Sequence, residues 1–61
     1  MTFVTIEGVT LALEGICIVR EDQDPLRHTQ SEVVTAGGPH YFQRTVKEIT
    51  EILVQAAKGG G

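Results

Sequence analysis

Cysteine occurs once in this chain, at Cys17, so no disulfide can form within its 61 residues. His28 and His40 are the only histidines, and one Cys with two His falls short of the four ligands of a structural zinc. There is no tryptophan, one tyrosine and two phenylalanines, and Tyr41 and Phe42 read as core or interface anchors rather than stacking platforms for bases, because a stacking surface comes with a basic groove. Serine occurs only at Ser31, with no nucleophile-elbow pattern around it. The five basic residues, Arg20, Arg27, Arg44, Lys47 and Lys58, are scattered among eight acidic ones, giving a net charge of −3. The dense basic face of a nucleic-acid binder is missing. The longest apolar stretch, Val9 to Val19, is interrupted by Glu14 and Gly15 and is too short to span a bilayer. No export signal is visible at the N-terminus, so the expected location is cytoplasmic and no membrane partner is expected.

The length allows one domain, residues 1–58, with Gly59 to Gly61 as a flexible tail. Such a domain buries only about 60% of its unfolded surface. Without a disulfide or metal, its stability must come from packing or from self-association.

Two similar blocks open the chain, Thr5-Ile6-Glu7-Gly8-Val9-Thr10 and Ala12-Leu13-Glu14-Gly15-Ile16-Cys17. Each sets Glu-Gly between strand-forming residues, and Gly supplies the positive φ of a two-residue hairpin turn. If both pairs are turns, Ile6 faces Val9, Val4 faces Leu11, Leu13 faces Ile16 and Leu11 faces Ile18. That register gathers Val4, Ile6, Val9, Leu11, Leu13, Ile16 and Ile18 on one face and leaves Phe3, Thr5, Thr10, Ala12, Cys17 and Val19 on the other. In the competing arrangement Gly8 is a bulge in one long strand, and the only hairpin is at Glu14-Gly15. Glu21 to Pro25 is polar and closed by proline, a loop pattern. Leu26 to Thr35 is ambiguous. Its Ser31–Thr35 portion has strand propensity, with the parity of an edge strand or a partly ordered loop.

Pro39 after Gly37-Gly38 suits a first helical position, so the pattern predicts an amphipathic helix from Pro39 to Lys58, stopped by Gly59. Its apolar arc holds Tyr41, Phe42, Thr45, Val46, Ile49, Ile52, Leu53, Ala56 and Ala57, with Ile49 at the centre and Val54 on the wrong side. The fold class is therefore α+β, a small antiparallel β-meander of three strands (four if 26–35 pairs) followed by one C-terminal amphipathic helix.

Candidate chemistry is sparse. Gly37 and Gly38 at a helix start offer free N–H groups to an anion, but the further glycines or Lys-Ser/Thr pair of a phosphate loop are missing. Cys17, His28 and His40 are the ingredients of a nucleophile–base pair or metal site, yet each has a plainer reading as a strand, loop or first-turn residue. Glu21, Asp22 and Asp24 lack the ligand series of a calcium loop, and the same acids offset Arg20, Arg27 and His28 beside them. No cofactor and no metal are expected. Tyr41, Phe42, Ile52 and Val54 are the candidate contact residues for a dimer or a partner. The expected function is non-enzymatic: a small homodimeric module that binds and regulates or inhibits another protein, of a kind with phage and mobile-element accessory proteins. A nucleic-acid-binding regulator is the alternative, and a small-ligand or nucleotide sensor the weaker one.

Overall fold

A computed structural model describes residues 1–59. It has two antiparallel sheets and one C-terminal helix, an α+β fold. The first sheet is a hairpin of β1 (Phe3–Ile6) and β2 (Val9–Ala12). The second has the order β3-β4-β5, with β3 at Ile16–Glu21, β4 at Ser31–Thr35 and β5 at Gly38–Phe42. Helix α1 runs from Val46 to Gly59. No helix of the described residues is long and apolar enough to cross a membrane. The expected tail begins inside α1 at Gly59, and Gly60 and Gly61 lie outside the described residues.

The first hairpin has the expected register, Ile6 opposite Val9 and Val4 opposite Leu11. Glu7 and Gly8 both have positive φ, 49° and 82°, the signature of the type I′ turn that matches strand twist. Glutamate is a poor residue for that conformation. Its carboxylate shows why it is tolerated: Gln43 N–H donates to Glu7 Oε2 at 2.8 Å and Arg44 N–H at 3.3 Å. The turn thereby clasps the segment joining β5 to α1, 36 residues away along the chain.

The second Glu-Gly pair is not a hairpin. Leu13–Gly15 forms one 3-10 turn, Gly15 has no positive φ, and β2 does not pair with β3. The expected Leu13–Ile16 and Leu11–Ile18 pairs are absent because the chain here crosses from one sheet to the other. Glu14 instead reaches back, its carboxylate accepting from Thr2 N–H at 3.1 and 3.2 Å. A bulge between Ile16 and Ile18 then changes the parity of β3. Ile16 and Val19 pack against the core and Ile18 points out, 48% exposed, whereas simple alternation put Ile18 in and Val19 out.

Ser31–Thr35 is a strand, and it is the central one rather than an edge. Thr35, Ala36, Gly37 and Gly38 turn the chain back, Gly38 with φ 124°. Gly37 N–H donates to Thr35 Oγ1, and that hydroxyl donates to Gly38 O. The segment from Pro39 is therefore β5, paired as Val34–Pro39, Glu32–Tyr41 and Ser31–Phe42, and not the first turns of a helix. Proline is tolerated there because β5 is an edge strand. The helix starts seven residues later, at a capping box that the sequence spells as Thr45-Val46-Lys47-Glu48. Glu48 N–H donates to Thr45 Oγ1, while Thr45 N–H donates to Glu48 Oε1.

The core lies between α1 and the inner faces of both sheets. Val4, Ile6, Leu11, Val33, Phe42 and Ile49 are its buried apolar members, joined at the margin by Val9, Ile16, Val19, Ile52, Leu53 and Ala56. Ile49 is fully buried, as the helical wheel requires.

Candidate surface on the uncovered sheet

Alternation from buried Val33 fixes the faces of the three-stranded sheet. Val19, Val33 and His40 form one cross-strand row on the inner side, and Ser31 and Phe42 stand in the next. The Ser31 hydroxyl is buried there without a hydrogen-bond partner among the described residues. The outer side carries the row Ile18–Val34–Pro39 and the row Arg20–Glu32–Tyr41. Helix α1 contacts β1, β3, β4 and the 3-10 turn, leaving this outer side without a covering helix.

The polar row is braced. Arg20 Nε donates to Glu32 Oε1 at 2.6 Å, and the Arg20 side chain stays 56% exposed while that of Glu32 is 12% exposed. This bond holds the Glu32 carboxyl below its ordinary range and raises the Arg20 guanidinium above its own. At the β5 end, the guanidinium of Arg27 lies 3.9 Å from the centroid of the Tyr41 ring, a cation–π contact. Arg27 also donates to Asp22 through Nε and Nη2. The Asp22 side chain is shielded from solvent and accepts further bonds from Thr29 Oγ1 and Asp24 N–H. Arg27 and Thr29 together drive its carboxyl well below the usual carboxylate range. The acidic loop is thus organised around an arginine within the chain, and its nine residues, 22–30, form a braced structure that carries Leu26 outward, 83% exposed.

The sequence-level candidates land in different places. Tyr41 is on the outer sheet face and Val54 on the exposed side of α1, but Phe42 is in the core and Ile52 packs against it. Gly37 and Gly38 form a hairpin turn, so the helix N-terminus that would have favoured an anion is not there. Cys17 is exposed at the bulge of β3, His28 sits at positive φ in the 22–30 loop, and His40 faces inward on β5. β4 separates the strands of Cys17 and His40, and no group of three or more His, Cys, Asp or Glu side chains gathers to hold a metal among the described residues. A concavity of about 690 Å³ is lined by Arg44, Glu48, Thr50, Glu51, Ile52, Val54 and Gln55. All but Arg44 belong to α1, so no second element walls it into a pocket. The outer-face set of Ile18, Val34 and Pro39 was missed from sequence because the bulge that turns Ile18 outward has no signature in residue type.

No protein-family model, curated protein or solved structure matches the chain.

Proposed function

We propose that this chain is a non-enzymatic interaction module whose recognition surface is the outer face of β3–β4–β5, and that it acts by binding a protein chain there. The observation that carries the reading is the uncovered apolar row Ile18–Val34–Pro39 beside the braced row Arg20–Glu32–Tyr41. Apolar side chains flanked by pre-ordered polar groups combine burial with low ordering cost on association. Nucleic acid is disfavoured as the partner, because the two cations of this face, Arg20 and Arg27, each stand beside a carboxylate, Glu32 and Asp22, so these pairs give the face no net positive charge for a phosphate backbone. The sheet edges are also poor docking points. β5 carries Pro39 and β3 carries a bulge, both of which interrupt a ladder.

The test compares three baits in lysate of the source cells: the wild type, Ile18→Glu on the outer face and Val54→Glu on the helix. A protein retained by the wild type and Val54→Glu, and lost with Ile18→Glu, supports the reading. Retention indifferent to Ile18, or retained material that is nucleic acid released by moderate salt, overturns it.

A further inference from the structure

We infer that the occupant of the outer sheet face is a second copy of this chain, packed about a twofold axis that runs between β3 and β4, parallel to them. The inference rests on the functional reading above and names its partner. Three features of the face lead to it.

The face is only partly vacant. Arg27 already lies over Tyr41 on β5, so the open part is the β3–β4 side, where Ile18 and Arg20 are exposed and Val34 and Glu32 are partly covered beside them. That part is self-complementary. In each row the β3 residue and its β4 partner differ in the way a twofold needs: Arg20 stands beside Glu32, and Ile18 beside Val34. A twofold between the two strands sets Arg20 of one copy over Glu32 of the other and Ile18 over the other copy's Val34. Opposite charges and apolar groups then meet twice, as an isologous interface requires. Arg20 is equipped for the second contact, because among the described residues its hydrogen bond is made through Nε alone, to one Glu32 oxygen. A guanidinium has further donors for a carboxylate across the interface.

Size decides the strength. Three strands about 4.8 Å apart and five residues at about 3.4 Å give a face of roughly 15 by 17 Å. That is well below the approximately 800 Å² per partner of a standard interface, even before Arg27 takes its share. The dimer is therefore weak and exchanging, with a dissociation constant above about 1 µM.

Sedimentation equilibrium between roughly 10 µM and 1 mM, the range of such weak interfaces, tests the inference. The wild type and Val54→Glu should rise from the mass of one chain towards two, and Ile18→Glu should stay at one. Arg20→Glu alone and Glu32→Arg alone should each stay at one, because like charges meet across the axis. Mixed together they should regain the two-chain mass, since every contact across the axis is again between opposite charges. Recovery in the mixture cannot come from a purely intrachain role of the Arg20–Glu32 pair. Circular dichroism confirms that each variant is folded, and if the charge variants are not, Ile18→Glu against Val54→Glu decides. A one-chain mass for the wild type throughout, or a dimer lost with Val54→Glu and kept with Ile18→Glu, overturns the second-copy assignment. If the chain is monomeric while Ile18-dependent capture persists, only the identity of the occupant is wrong. If both disappear, the recognition surface itself is misplaced.

Discussion

Replacing Glu7 by Asn sets a local rule against a long-range one. By turn chemistry alone, Asn-Gly is the preferred pair for a type I′ hairpin, and Asn tolerates the left-handed conformation that Glu7 adopts at φ 49°. The exchange should return part of the roughly 1–2 kcal/mol that a left-handed non-glycine residue costs, about 1 kcal/mol for a residue as tolerant as Asn. Against this stand the bonds from Gln43 N–H and Arg44 N–H to the Glu7 carboxylate, which the shorter Asn side chain does not reach. Hydrogen bonds to charged groups contribute about 1.5–3 kcal/mol each, and solvent exposure lowers the pair to about 2 kcal/mol together. The net expectation is a loss of about 1 kcal/mol, or a melting temperature lower by about 4–8 °C for a domain of this size. Glu7→Ala should lose more, because it keeps the backbone strain and gives up the clasp. Urea denaturation followed by circular dichroism measures both. An Asn variant more stable than the wild type would refute the clasp and return Glu7 to the status of a poor turn residue.

Ile49→Ala should cost about 2–5 kcal/mol, near the whole stability of a small domain, because Ile49 is fully buried. Lys47→Ala on the exposed side should be almost silent, and equal sensitivity at both positions in chemical denaturation would contradict the helix orientation. Gly8→Ala should destabilise by about 1–2 kcal/mol because its φ is 82°. Gly15→Ala should be neutral or slightly stabilising, since Gly15 is free of positive φ and a Cβ there meets only Ala12 Cβ at 4.0 Å. On acidification, Asp22, Glu32 and Glu48 all have folded-state carboxyls held below their ordinary range. The unfolded chain therefore binds protons first, so their stabilisation is complete above about pH 5 and is lost as pH falls through about 4 and below. Asp22→Asn should flatten that acid limb of the stability curve, and an unchanged limb would contradict the Arg27–Asp22 account.

The α+β class, the first hairpin with its register, the buried Ile49 and the exposed Val54 were legible because each follows from short-range pattern. Alternation about Glu7-Gly8 fixes a two-strand register, and helical spacing fixes which side of α1 is apolar. The errors arose where similar local signals had different tertiary outcomes. Glu14-Gly15 resembles Glu7-Gly8, but the chain changes sheets there. Pro39 after two glycines suits a helix start, yet it also suits an edge strand after a tight turn, and pairing with β4 decides between them. The Thr45–Glu48 capping box was present in the sequence and outweighs the proline, since it satisfies backbone donors from both sides. The outer face was hidden for a different reason. One unpaired residue at Cys17 reverses the direction of every side chain after it in β3, and nothing about Cys, Ile or Val announces that displacement.

The most direct test of the second-copy assignment is a dilution series of amide NMR spectra on the unmodified chain. Weak self-association in fast exchange moves the resonances of the residues at the contact. The account predicts that the amides of Ile18, Arg20, Glu32 and Val34 shift progressively with concentration while those of Phe3, Thr50 and Val54 stay in place. Spectra that do not change with concentration, or shifts confined to the exposed side of α1, would contradict it.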